Sequence, residues 1–198
     1  MTVIGLTGPT GSGKTTALRV LETMGFRVID CDAAYYRLLK TDEALRHQLT
    51  DTFGNVFLPD GQLDRRTLGT IVFGDRGQMA KLNAIVYPAM DRAVAAEIAA
   101  VKGRGAVIDA INLIESGLGD RCDLTVAITA PPEVRLRRII ARDSIDEDYA
   151  RRRIEAQKKD SYYKKHCHFL LENRAGSQKE FESLIREFFE DILLDTEE

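Results

Sequence analysis

Five short apolar runs stand out along the chain, at Thr2–Thr7, Phe26–Asp30, Gly105–Asp109, Leu124–Thr129 and His168–Glu172. Most are rich in Val, Ile and Leu and lack the alternation of a strand with one wet face. Continuous apolarity over so few residues fits parallel strands covered on both sides. Helical patterns separate most of the runs, and a strand–helix–strand repeat implies right-handed βαβ crossovers. The predicted class is α/β, with a five-stranded parallel sheet flanked by helices in three layers.

Residues 33–103 are too many for one crossover helix. From Met79 the apolar positions Leu82, Ile85, Val86, Met90, Val94, Ile98 and Val101 form a helical stripe. Pro88 lies inside it and predicts a break or a new helix start. Two further helices are announced by capping-box patterns, Ser144-Ile-Asp-Glu147 and Ser177-Gln-Lys-Glu180. The second opens a stripe of Phe181, Leu184, Ile185, Phe188, Ile192 and Leu193 that should pack on the sheet. The expected organisation is a single unit. Its core covers about 1–32, 104–131 and 166–198, with a helical insertion at about 33–103 and a lid at about 132–165.

One motif gives this frame a chemistry. Gly8-Pro-Thr-Gly-Ser-Gly-Lys14-Thr15 matches the phosphate-loop pattern at every fixed position, between an apolar strand and a helical stretch at Thr16–Met24. Glycines let the backbone curl so that several N–H groups face one phosphate. The helix that follows adds the positive end of its dipole. Gly11, Ser12, Gly13, Lys14, Thr15 and Thr16 are therefore the candidate ATP-binding residues. Lys14 is placed to reach the β- and γ-phosphates and the Thr15 hydroxyl to bind Mg²⁺. The fold this implies is that of the P-loop nucleoside-triphosphate hydrolases. A dinucleotide-binding fingerprint fails for want of its third glycine.

Three acids and a row of arginines extend the candidate site. Asp32 follows the second run, where the carboxyl ends of parallel strands face ligands. It is either the base that takes a proton from an attacking hydroxyl or a cap for a helix starting at Ala33. Asp30 supports the site or a nearby hydrogen bond. Asp109 ends the third run, and either holds Mg²⁺ or opens a turn. Arg135, Arg138 and Arg142 share one helical face, and Arg151–Arg153 follow. Guanidinium groups stabilise charge on a phosphoryl group in transfer, although such a face can also be merely solvated.

Composition narrows the setting. The 198 residues carry a formal charge of −3 and a pI near 5.7, which speaks against a general nucleic-acid or membrane-surface binder. No run approaches the ~20 apolar residues of a membrane span. Cys31, Cys122 and Cys167 show no pairing pattern and read as reduced thiols, so a cytoplasmic protein without a signal peptide is expected. His166-Cys-His168 lacks a second ligand pair at zinc spacing. Asp51-Thr-Phe-Gly54 matches D-x-x-G far from any switch position, and no Asn-Lys-x-Asp motif reads guanine.

Taken together, these residues resemble the dephospho-coenzyme A kinase family. The likeness rests on Leu6-Thr-Gly8, Gly11-Ser-Gly-Lys-Thr15, Val28-Ile-Asp-Cys-Asp32, Arg37 and Phe53-Gly54. It continues through Asp60-Gly-Gln-Leu-Asp-Arg65, Val72-Phe73, Tyr87-Pro88, Glu115, Arg135–Arg138, Arg142, Gln157 and Asn173. The resemblance implies a nucleotide-binding core, a helical region for the coenzyme A moiety, and a lid. It implies ATP-dependent phosphorylation of the ribose 3′-hydroxyl of dephospho-CoA by a monomer or weak homo-oligomer. Asp32 takes the base position, Lys14 and Arg138 complete the catalytic set, and Arg142 and Asn173 fall at nucleotide positions. The chain differs from the family pattern at Ile111-Asn-Leu, at Tyr87 and at Cys167-His168. A P-loop kinase for a nucleoside, nucleotide or sugar acid is the alternative.

Overall fold

The computed structural model describes residues 1–194. Its sheet has five strands: β1 (Thr2–Thr7), β2 (Phe26–Asp30), β3 (Gly105–Asp109), β4 (Leu124–Thr129) and β5 (Phe169–Glu172). The spatial order is β2-β3-β1-β4-β5. β1 runs parallel to β3 on one side, with Ile4 opposite Val107, and to β4 on the other, with Leu6 opposite Val126. β5 joins β4 in parallel, pairing Ala127 with Leu170. The parallel α/β sheet expected from the apolar runs is present.

The chain forms two compact units. Met1–Val28 with Val101–Glu198 make the first, and Ile29–Ala100 the second. In the first, one sheet face is covered by α1 (Lys14–Thr23) and α9 (Gln178–Leu194). Ile4, Leu6, Val107, Val126 and Ile128 of the strands pack with Ala17 and Leu21 of α1 and with Phe181, Ile185 and Phe189 of α9. β1 and β4 are buried on both faces because the other face is also covered. A Cβ on Gly5 would stand 2.7 Å from Leu113 Cδ2 and 2.8 Å from Cys122 Sγ, so that covering layer sits directly on the strand.

Three helices close the first unit beside the strands: α6 (Pro132–Asp143), α7 (Glu147–Glu155) and α8 (Asp160–His166). Leu136, Ile139 and Ala150 form a small separate core between α6 and α7, joined by Ile140, Ile145 and Ile154. The second unit is helical: α2 (Cys31–Thr41), α3 (Glu43–Phe53), α4 (Arg65–Val72) and α5 (Arg76–Ala99). It has its own core of Leu39, Leu45, Leu49, Phe53, Val56, Leu68, Val72 and Ala89. Among the described residues no helix is long and apolar enough to cross a membrane.

Local signals mislead at four places. Pro88 does not break its helix: α5 runs unbroken from Arg76 to Ala99. The ring removes one N–H, but Leu82, Ile85 and Val86 before it and Ala89 after it all pack on the second unit's core, and that burial outweighs the lost bond. Ser144 does not cap α7. It ends α6 in the left-handed region at φ 52°, and Asp146 caps α7 by accepting from Tyr149 N at 2.8 Å. Ser177 does cap α9, accepting from Glu180 N at 3.1 Å, while Glu180 reaches back to Gly176 N at 2.8 Å. His168 stands just before β5, where its Nδ1 accepts the Thr125 N–H at 2.9 Å in place of a strand hydrogen bond. Finally, α1 begins at Lys14, two residues before the stretch that the apolar pattern marks.

Phe189 is fully buried where α9 meets α1 and the sheet. Replacing it with Ala should cost about 3–5 kcal/mol through lost burial and the cavity left behind. Urea unfolding of Phe189→Ala against the unsubstituted chain measures this, and a loss under 1 kcal/mol would be inconsistent with that core.

Candidate active site

β1 and β3 are adjacent, yet the chain leaves them for opposite ends of the sheet, toward β2 and β4 respectively. Adjacent strands with diverging connections open a crevice at their carboxyl ends. The loop Gly8–Gly13 leaves β1 there and enters α1, whose first turn carries Lys14 and Thr15. Asp109 ends β3 in the same crevice and makes an ion pair with Lys14. The two side chains are 18% and 19% exposed, so the pair is shielded without being sealed. A cleft of about 280 Å³ opens over the loop, lined by Gly8 through Thr15, Ile111, Arg138 and Arg142. Ile111, which the sequence singles out only as a departure from the family pattern, is 57% exposed on that wall.

The loop is held from behind. Asn173, just beyond β5, is 2% exposed and donates from Nδ2 to Ser12 O at 2.9 Å. Its own N–H donates to Thr129 O at 2.7 Å, which ties the loop to the ends of β4 and β5. Gly13 has φ 108°, and a Cβ there would lie 2.5 Å from Asn173 Nδ2 and 2.8 Å from Phe181 Cε1. That glycine serves both the turn and the close approach of the back wall.

The three arginines of α6 share a face but not a surrounding. Arg135 is 5% exposed and spans Thr10 and Gln157. Arg138 donates to Gly11 O at 3.2 Å and Ser12 O at 3.3 Å. Partial burial, with Arg137 nearby, lowers its pKa, but the guanidinium stays charged at any working pH. Arg142 is 58% exposed and forks onto Asp143 at 2.7 and 3.0 Å. Arg153 also donates to Asp143, and the two guanidinium groups hold that carboxyl well below the usual range. The crevice therefore gathers Lys14, Thr15, Asp109, Arg138 and Arg142, with Asn173 behind the loop.

Asp32 belongs to the second unit. It is exposed in the first turn of α2, but the cap of that helix is Asp30, which accepts from Ala33 N at 2.9 Å. The capping alternative for Asp32 is thereby set aside, and Asp30's supporting role is that cap. Several family-pattern residues in this unit have local duties. Asp60 accepts from Gln62 N and Nε2, Asp64 caps α4, Arg37 pairs with Glu97, and Arg65 lies 4.5 Å over the Tyr36 ring.

A parallel sheet with a phosphate loop after its central strand, a lysine in the first helical turn and an acid on the neighbouring strand together define a P-loop phosphotransferase. Matches to known proteins narrow that class. The chain belongs to the dephospho-CoA kinase family, whose model (CoaE, dephospho-CoA kinase) matches residues 2–194. It is 32% identical to a dephospho-CoA kinase of Thermobifida fusca over 97% of this chain and 96% of that one. It is 33% identical to one of Geobacter sulfurreducens, over 96% and 98% of the two chains. A Thermus thermophilus crystal structure superposes with a TM-score of 0.78 at 29% identity, covering 96% of this chain and 97% of that one. At 17% identity a shikimate kinase of Bacteroides thetaiotaomicron shares the fold, with a TM-score of 0.59 over 96% and 98% of the chains.

Gly13→Ala should weaken nucleotide binding by about 10²-fold, since a displacement of an ångström in a positioning loop has effects of that size. Titration with a fluorescent ATP analogue measures it. Affinity within threefold of the unsubstituted chain would mean that the wall of Asn173 and Phe181 yields.

Proposed function

We infer that this chain transfers the γ-phosphoryl group of ATP to the ribose 3′-hydroxyl of dephospho-CoA, giving CoA and ADP in the last step of coenzyme A biosynthesis. The observation that carries this reading is the filled-out phosphate loop, with Lys14 and Asp109 at its mouth, inside a chain that matches the family from residue 2 to 194. The loop N–H groups and the α1 N-terminus receive the phosphates. Lys14 turns from one carboxylate to the β- and γ-phosphates, whose charge is greater, and Arg138 and Arg142 face the same cleft. Arg138 stabilises charge on the group in transfer. Asn173 serves the nucleotide through the loop it braces.

Asp32 is the proposed base. Its carboxylate is exposed, helix capping falls to Asp30, and it follows the carboxyl end of a sheet strand. It accepts the proton of the attacking hydroxyl. The Thr15 hydroxyl and the Asp109 carboxylate are hard oxygen donors of the kind Mg²⁺ takes beside phosphates, and the residues present fit that ion. When bound, Mg²⁺ would neutralise phosphate charge. Three reduced thiols are consistent with work in the cytoplasm.

Lys14→Ala should abolish turnover, and normal activity would remove the loop from the mechanism. Asp32→Asn should leave ATP affinity unchanged and slow turnover by ~10²–10⁴, the usual worth of a positioned base. A rate within threefold would make Asp32 dispensable. The acceptor is tested by ATP consumption over dephospho-CoA, adenosine, shikimate and gluconate. Dephospho-CoA should be turned over well above the rest, and silence with it alone would reject the acceptor while leaving the phosphate loop in place.

A further inference from the structure

Both backbone groups of Thr10 are held by side chains far away in sequence. Its N–H donates to Gln157 Oε1 at 3.2 Å, and its carbonyl accepts from Arg135 Nε at 2.9 Å. Arg135 Nη2 also donates to the same Gln157 oxygen. Three hydrogen bonds thus close a ring around one residue of the phosphate loop, holding the peptide groups on both sides of the Thr10 Cα. Arg135 is 5% exposed, and burial lowers its pKa while Tyr163 and Asp160 oppose the shift. Burying a guanidinium is costly unless its donors are used. Here they are spent on Thr10 and on the side chain that holds Thr10.

The approach is close. A Cβ on Gly11 would stand 3.0 Å from Arg135 O and 3.2 Å from Arg135 Cα, so the backbone of α6 lies against the loop. The next residue, Lys158, pairs with Glu115 at 3.4 Å, six residues beyond the end of β3. Because its N–H is given to Gln157, Thr10 does not offer that donor to a phosphate. The cradle therefore starts at Gly11, and the orientation of the Thr10 peptide sets where the following N–H groups point.

We propose that Arg135 and Gln157 are positioning residues that fix the register of the phosphate loop through Thr10. Neither touches the phosphate. Position 157 must supply an acceptor for two donors, and position 135 a guanidinium whose Nε–H reaches the Thr10 carbonyl. The proposal rests on the reading above only in that the loop binds ATP.

The test compares Gln157→Leu, which keeps the bulk but strands two donors, with Gln157→Glu, which keeps the acceptor. Stranding buried donors should weaken binding of a fluorescent ATP analogue by about 10–100-fold in Gln157→Leu. Gln157→Glu should stay within about threefold, because the carboxylate accepts from both partners. Thr10 amide exchange, followed by NMR without nucleotide, should be faster in Gln157→Leu and native-like in Gln157→Glu. The KM for dephospho-CoA should not move in either. Unchanged ATP affinity in Gln157→Leu, or equal loss in both variants, would overturn the proposal. Thermal melts report folding. If Gln157→Leu does not fold, Arg135→Lys replaces it: the charge is kept and the Nε–H lost, so faster Thr10 exchange and weaker ATP binding are expected, and native values of both would overturn the proposal. These binding readouts need no acceptor, so failure of the unsubstituted chain to use dephospho-CoA rejects only the acceptor.

Discussion

A loop that turns several backbone N–H groups toward one point crowds partial positive charges together, and it keeps that shape only if its surroundings hold it. At Gly8–Thr15 the support arrives from three directions. Asn173, just past β5, holds the Ser12 carbonyl, Phe181 of α9 closes on Gly13, and α6 lies against Gly11. The glycines are needed on both sides: in front to leave the N–H groups bare, and behind to let these walls come close. The order of the sheet serves the same need, because β4 lies next to β1 and β5 next to β4, which brings Asn173, just past β5, to Ser12.

The charge balance of the crevice is set by neighbouring strands. Lys14 rises from the turn after β1 and Asp109 from the end of β3, so their pairing is a product of register rather than of sequence distance. A paired lysine is held at the mouth of the loop at little cost, being only partly desolvated. Arg138 adds a second fixed positive charge over the Gly11 and Ser12 carbonyls. A polyphosphate entering this cleft therefore meets cations already gathered at the loop, with Lys14 having only to turn from Asp109, and such oriented charge is how these sites stabilise a charged group.

Much of this was legible in the sequence. Buried parallel strands leave unbroken apolar runs, and the fixed spacing of the phosphate loop names its own geometry, so the sheet and Gly11–Thr16 could be placed from the chain alone. What was not legible depended on competition between neighbours. Asp30 and Asp32 are the same residue type two positions apart, and only the register of α2 decides which of them meets Ala33 N. Ser144 fits a capping box, yet α6 needs it as a terminator and Asp146 is better placed for α7. Pro88 is a strong local breaker that loses to the burial of the turns around it. In each case the local signal was real, and a competing cap or the burial of the surrounding turns overrode it.

The arginine face of α6 shows the limit of periodicity most clearly. Spacing places Arg135, Arg138 and Arg142 on one side of a helix, and that much is geometry. Their duties differ because their burial and their partners differ. Arg135 is buried against Thr10, Arg138 reaches the carbonyls of Gly11 and Ser12, and Arg142 is exposed and held by Asp143. Depth turns one pattern into a brace, a partly shielded cation and an exposed cation tethered by a carboxylate. A guanidinium suits all three because it stays charged when buried and offers donors in a fixed plane. A lysine at the deepest position would lose its charge more readily and could not hold a carbonyl and a side-chain oxygen in one plane, so the requirement for arginine is strictest at the most buried of the three.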